Sequence, residues 1–211
     1  MDTEAYWQKK LAGYANEDWA TKPSIFAQWA LQHFPAQGAL LELGAGHGQD
    51  SAYFAEQGWQ ATCTDFDESI VDGIRRKYGD KLQYQVVDLS QTPLPFDDAS
   101  FDVVYAHLSL HYFDRAKTQE LFREIGRILK SGGVLAALFN TKDDPEYGDN
   151  EKIEDGYVMD SGIYKRFMDA DDARAFAEGF EVVVADNQGT TLKDEAKGVH
   201  NLIRLIARKP A

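Results

Sequence analysis

Between residues 39 and 139 the chain repeats one pattern: a short apolar run, a break at glycine or aspartate, then a polar stretch with apolar residues at helical spacing. Ala39-Leu-Leu-Glu-Leu43 is the first such run; it ends in glycines and reads as a buried parallel strand. Residues 51–57 predict a helix stopped by Gly58, residues 59–64 a second strand, and Glu68–Tyr78 a helix behind Asp67 as its cap. Residues 82–87 alternate, and Phe101-Asp-Val-Val-Tyr-Ala106 predicts a fourth strand. Leu121, Phe122, Ile125, Ile128 and Leu129 recur at helical spacing within residues 115–130. Gly132-Gly133 is expected to end that helix and lead into a strand over residues 134–139. Strands alternating with helices mean βαβ units and a parallel sheet covered on both faces, so the expected class is α/β with three αβα layers.

Outside this repeat the pattern changes. The segment before residue 35 reads as helical and carries Tyr6, Trp7, Tyr14, Trp19, Phe26 and Trp29. Pro23 marks a break, and Ser24 is a candidate N-cap for a helix through about His33. Residues 140–168 form a long polar, acidic insertion, followed by a helix at about 170–178. Two strand-like runs, 180–185 and 199–207, have no helix between them and are expected to pair antiparallel. Neither a repeat nor a low-complexity segment interrupts the 211 residues, which suit a single domain.

Composition narrows the partners. There are 35 acidic and 22 basic residues, a formal charge of −13, so most of the surface repels a polyanion such as nucleic acid and disfavours an anionic membrane. Cys63 is the sole cysteine, which rules out an intrachain disulfide and a cysteine-based metal cluster; no metal is expected. The first twenty residues lack the basic start and apolar run of a signal peptide, and no apolar stretch approaches the roughly 20 residues that span a bilayer. A soluble, cytoplasmic protein is the expectation.

The candidate chemistry starts where the first strand ends, in Glu42-Leu-Gly44-Ala-Gly46-His-Gly48-Gln-Asp50. Alternate glycines permit a tight turn and close backbone approach to a ligand, and a following helix N-terminus favours anionic groups. Asp65 closes the second strand, where a carboxylate can accept hydrogen bonds from ribose hydroxyls. Asp88-Leu89 follows the third strand. Taken singly, each acid also fits a solvated turn residue; together they occupy the strand C-termini, the edge where open α/β sheets bind ligands.

ELGAGHG, TDFDES, VVDL and the segment FDVVYAHLSLHYF…RILKSGGVLAALF resemble the ordered motifs of class I S-adenosylmethionine-dependent methyltransferases, over residues 39–139. The resemblance implies a Rossmann-like seven-stranded, mostly parallel sheet whose last strand is antiparallel. It implies S-adenosyl-L-methionine as cofactor, with S-adenosyl-L-homocysteine as product. Glu42, Gly44, Ala45, Gly46, Gly48 and Asp50 would surround its methionine part, Asp65 its ribose, and Phe66, Asp88 and Leu89 its adenine, with His107 on the methionine side. The domain would divide into an N-terminal cap (1–34), a cofactor-binding core (39–139), a substrate-side insertion (140–168) and a C-terminal helix and strand pair (169–211). The dinucleotide fingerprint G-x-G-x-x-G fails, because its third glycine position is Gln49, and no Tyr-x-x-x-Lys pair follows the fourth strand.

Methyl transfer is an in-line displacement in which a protein mainly positions the reactants. The segment after the fourth strand offers His111 and Tyr112 for contact with the acceptor; a helix cap and a core aromatic are the equal alternatives. It lacks the Asn/Asp-Pro-Pro-Tyr/Phe motif of amino-directed DNA methyltransferases. Tyr6, Trp7, Tyr14 and Trp19, and more weakly Asn140, Tyr147, Tyr157 and Arg166, are candidate lid or substrate residues. In its size and short aromatic N-terminus the chain most resembles methyltransferases acting on small molecules, including the thiol and tellurite-detoxifying types, and that resemblance implies a small-molecule acceptor. A non-catalytic cofactor-binding scaffold, or a methyltransferase acting on a protein or RNA with a partner subunit, are the rivals. The oligomeric state is not legible.

Overall fold

The chain is represented by a computed structural model that describes residues 3–14, 17–160, 162–190 and 200–211. It opens with α1 (Thr3–Tyr14), a 3-10 turn (Asp18–Thr21) and α2 (Ile25–Ala30), with a second 3-10 turn at Leu31–His33. The repeating half comprises β1 (Ala39–Leu43), α3 (Gln49–Glu56), β2 (Gln60–Asp65), α4 (Glu68–Tyr78) and β3 (Gln83–Val86). It continues with β4 (Phe101–His107), α5 (Arg115–Ile128) and β5 (Leu129–Thr141). Then come α6 (Pro145–Asp149), β6 (Lys152–Glu154), β7 (Tyr157–Asp160), β8 (Ile163–Met168), α7 (Ala170–Phe176), β9 (Glu181–Gly189) and β10 (Leu202–Arg208).

Local chemistry accounts for the boundaries. Ser24 Oγ accepts the Ala27 N–H at the start of α2, and the Asp67 side chain accepts the Ser69 N–H at the start of α4, so both caps are those expected. The strands order β3-β2-β1-β4-β5, all parallel, and β10 then pairs antiparallel with β5 and with β9. These seven strands are the mostly parallel sheet with a late antiparallel strand that the motifs imply. The chain runs outward from β1 to β3 and then restarts on the other side at β4. That reversal opens a crevice at the C-terminal ends of β1 and β4.

Helices cover both faces. Leu121, Ile125, Phe139, Phe176 and Leu205 form one buried layer, and Phe26, Phe54, Ile74, Tyr105 and Ile206 the other. Each such side chain taken from water contributes about 1.5–3 kcal/mol, which makes the sheet a rigid platform for its loops.

Two expectations are corrected. α5 ends at Ile128, where the Leu129 N–H closes the last turn on the Ile125 carbonyl, and Gly132-Gly133 lies inside β5. The glycines serve an irregularity in the strand: Gly132 has φ 75°, and it and Gly133 exchange backbone bonds with Lys209. The 140–168 insertion is no open polar loop. Asn140 and Thr141 pair in parallel with Phe167 and Met168, and β8, β7 and β6 continue as an antiparallel meander, extending the sheet to ten strands. No helix among the described residues is long and apolar enough to cross a membrane.

Candidate functional site

The β1–α3 turn owes its shape to its glycines, for different reasons. Gly44 has φ 73°, and a Cβ there would lie 2.5 Å from Ser109 Cβ, whose hydroxyl donates to the Leu43 carbonyl. Gly48, with φ 71°, would drive a Cβ to 2.4 Å from Ile74 on α4, so it serves helix packing. Gly46 has φ 56° and only Leu11 Cδ2 near its Cβ position, at 3.4 Å, leaving its ligand side open.

Carboxylates gather around this turn. Asp65 is 6% exposed; its Oδ2 accepts the Gly46 N–H at 3.0 Å and its Oδ1 the Phe66 N–H at 2.9 Å. A carboxylate oxygen has a second lone pair, so both remain able to accept from a ligand hydroxyl. Burial raises the Asp65 pKa against these bonds. Glu42 is 2% exposed and accepts the Ser51 hydroxyl at 2.5 Å; burial and then the Asp50 charge push its carboxyl well up. Asp50 is satisfied within the protein: Oδ1 accepts the Ser24 N–H at 2.6 Å, and Oδ2 the Ser24 and Tyr105 hydroxyls at 2.7 Å each. It therefore anchors α2 to α3 and β4.

These groups border a cavity of about 880 Å³ at the C-terminal edge of the sheet. Phe66, Val87, Asp88 and Leu89 form one side. Asp88 is exposed and accepts the Ser90 N–H at 2.8 Å and hydroxyl at 2.7 Å, while Leu89 is buried. The far side is built by three separate pieces of chain. Trp7, Lys10, Leu11 and Tyr14 come from α1, His107–Ser109 and His111–Phe113 from β4 and its loop, and Met159 and Gly162–Lys165 from the meander.

That far side carries unsatisfied polarity. His111 is 2% exposed, its Nδ1 has no hydrogen-bond partner among the described residues, and burial, then the charges of Lys165, His107 and Lys10, pull its pKa down to about 3. It is a neutral imidazole at pH 7. His107 Nε2 is likewise unpartnered, and burial lowers the pKa of His107. Gln49 Oε1, on the glycine-turn side of the cavity, is in the same state among the described residues; buried polar atoms rarely go unpaired, so these atoms together mark the whole cavity as a ligand site. The backbone around His111 is clamped to the meander: its carbonyl accepts the Arg166 N–H at 2.7 Å, and Arg166 Nε donates to the Phe113 carbonyl at 3.0 Å. The Tyr112 ring packs 4.3 Å from His111 and edge-on to Trp7 at 5.2 Å.

The structure brings together most of the expected residues: Glu42, Gly44, Ala45, Gly46, Asp50, Asp65, Phe66, Asp88, Leu89, His107, His111, Tyr112, Trp7, Tyr14 and Asn140 all border the cavity. Others belong elsewhere. Gly48 packs on α4. Tyr6 lies edge-on against Trp7 and does not reach the lining. Tyr147 packs on Phe167 and its hydroxyl donates to Asp155, because α6 turns it outward onto the meander. Tyr157 is buried under Arg166 and Tyr164, its hydroxyl spent on the Tyr112 carbonyl at 3.4 Å. Arg166 is a buried structural cation paired with Glu154. The side chain of Trp19 lies outside the described residues. Lys10, Ser109, Met159, Tyr164 and Lys165 border the cavity without having been expected; short strands in an acidic stretch gave no periodic signal for the last three. Among the described residues no group of three His, Cys, Asp or Glu is placed to hold a metal ion.

The methyltransferase domain model matches residues 41–137. A demethylmenaquinone methyltransferase of Clavibacter sepedonicus is 33% identical over 103 residues, 48% of this chain and 41% of its own length. The chain thus spans less than half the length of this curated relative. Among solved structures, a chain in the complex of the Haloferax volcanii Trm112 methyltransferase activator with a methyltransferase superposes with a TM-score of 0.73. It is 20% identical, and the superposition covers 100% of this chain and 98% of that one. The Burkholderia thailandensis 1,6-didemethyltoxoflavin-N1-methyltransferase, solved with its substrate and S-adenosylhomocysteine, superposes with a TM-score of 0.67 at 21% identity, covering 98% and 85%.

Proposed function

We propose that the protein, whose residues 41–137 match a methyltransferase domain, transfers the methyl group of S-adenosylmethionine to a small molecule bound on the His111 side of the cavity. The observation that carries the reading is the join between the two ends. A single cavity runs from Asp65 and the Gly46 turn to the unpartnered Nδ1 of His111. The residues present fit the cofactor: Gly46 is open on its ligand side, the Asp65 carboxylate can still accept from a ribose hydroxyl, and His107 Nε2, unpartnered among the described residues, belongs to a residue on the same cavity.

When bound, the cofactor supplies a methyl group already activated by a sulfonium. The protein's part is then orientation, exclusion of water and placement of one proton. Well-oriented reactants recover roughly 7–11 kcal/mol of barrier. Sheet-anchored strand ends hold the cofactor side, while Trp7, Tyr112 and the meander wall in the acceptor. His111, neutral at pH 7, is placed to hydrogen-bond the N–H, O–H or S–H of the acceptor and so aim its lone pair at the methyl carbon. A cavity walled by three chain segments, in a protein of charge −13, suits a small acceptor better than a nucleic acid.

The test is steady release of S-adenosylhomocysteine on addition of small thiols, amines, phenols and carboxylates. Turnover with one acceptor, lost in His111→Gln at constant cofactor affinity, is the expected result. Cofactor binding without turnover of any acceptor would leave only a binding module.

A further inference from the structure

Two lysines, Lys10 and Lys165, border this cavity, and the acidic chain treats them differently. Lys165 is buried and pairs with Asp160 at 2.5 Å and Glu146 at 2.8 Å, and Lys142 pairs with Asp155, Asp169 and Asp172. Lys10 is the exception on the cavity wall. Its ammonium donates to Tyr6 Oη at 3.0 Å and lies 5.2 and 5.4 Å from the Tyr6 and Trp7 ring centroids, yet it makes no ion pair among the described residues. The aromatic rings fix the stem of the half-buried side chain without cancelling its charge.

The surroundings show what that charge faces. Trp7 ties Lys10 to Tyr112, and Tyr112 to His111, so the ammonium stands at the His111 end of the cavity, close enough to His111 for its charge to act there. Of the acids on this wall, Glu146 pairs with Lys165, and Asp144 Oδ1 accepts the Glu146 N–H at the start of α6; neither forms an ion pair with Lys10. A second, independent observation is the unpartnered Nδ1 of the buried His111 at the same end. An anionic acceptor group would give this ammonium the ion pair that no carboxylate among the described residues supplies.

We propose that Lys10 is an anion subsite, and that the methyl acceptor carries a carboxylate which pairs with it while the nucleophilic atom lies under His111. The inference rests on the methyl-transfer reading and adds the charge class of the substrate. An ion pair reinforced by a hydrogen bond in a partly desolvated cavity contributes about tenfold or more in affinity.

The test uses benzoate and benzamide, equal in size and differing in charge, titrated by NMR into the full chain saturated with S-adenosylhomocysteine. Benzoate is expected to bind at least about tenfold more tightly than benzamide. Lys10→Gln, which can still reach Tyr6 Oη, should bring the two within about twofold, and Lys10→Arg should restore the preference. Equal binding in the wild type, binding of neither probe, or a preference untouched in Lys10→Gln would overturn the subsite. S-adenosylhomocysteine affinity in the same samples separates the two failures. If the cofactor product binds and benzoate shows no preference, the subsite falls alone. If the product does not bind at all, the methyl-transfer reading falls and takes the subsite with it.

Discussion

The two ends of the cavity are built on opposite principles. At the β1–β2 end, acids sit on strand termini, and their oxygens are held by fixed donors: Gly46 and Phe66 on Asp65, Ser51 on Glu42, Ser24 and Tyr105 on Asp50. At the β4 end, His111 Nδ1 lacks a partner and Lys10 a counter-ion among the described residues, inside walls borrowed from α1 and the meander. The difference teaches how a common fold hosts a private substrate. The acids of the first end belong to the sheet and are already held in place, as a site for an invariant cofactor requires. The second is assembled from peripheral elements, and on the proposed reading an acceptor would complete it.

The sharpest way to break this contrast is through His111. The unfolded imidazole binds a proton below pH 6.5, whereas the buried one stays neutral down to about 3. Falling pH therefore favours unfolding across that window, and the group's contribution to stability is fully present only above pH 6.5. His111→Gln should remove this part of the acid destabilisation, on the order of 4 kcal/mol by pH 3, in denaturant titrations compared across pH. Wild type and variant tracking in parallel would mean that the imidazole is not desolvated as described.

Next in size is the cofactor end. Asp65→Ala should weaken S-adenosylhomocysteine binding by about 100-fold, the loss of two charge-assisted bonds at about 1.5 kcal/mol each, read by calorimetry. Binding within twofold of wild type would place the ribose elsewhere. Removal of residues 1–20 should lower kcat/KM about tenfold while the core stays folded, because Trp7, Lys10 and Tyr14 leave the acceptor wall whereas Ser24–Asp50 remains intact. Full activity in the truncated chain would show that α1 is a bystander. The smallest effect is expected for Tyr157→Phe, which removes one long bond beneath the loop: under about 0.5 kcal/mol in stability and no change in acceptor KM. A large KM change there would mean that Tyr157 reaches the acceptor after all.

The same contrast explains what was legible in the sequence. β1, β2, β4, α4 and the glycine turn announce themselves because buried strands must be apolar, caps must be Asp or Ser, and left-handed turns prefer glycine. Asp65 and Glu42 follow from their places at strand ends. The meander was hidden: its strands are three to six residues long, and exposed acids alternate with Tyr157, Val158, Ile163 and Phe167 without a helical or clean two-residue period. Lys10 was hidden for another reason. A lysine on an exposed helix usually faces solvent, and only the three-dimensional absence of a carboxylate distinguishes it. Among the aromatics, Trp7 and Tyr14 border the cavity while Tyr147 and Tyr157 do not, because helix and hairpin register decides which ring faces inward.

The most direct test of the two-ended cavity is a crystal structure of the full chain with S-adenosylhomocysteine. The account expects ribose hydroxyls within hydrogen-bond distance of Asp65, adenine beside Phe66 and Leu89, and the thioether sulfur facing His111 and Tyr112 across a gap sized for a small acceptor. A ligand seated in the reverse sense, with its sulfur turned away from His111, or bound outside this cavity, would contradict it.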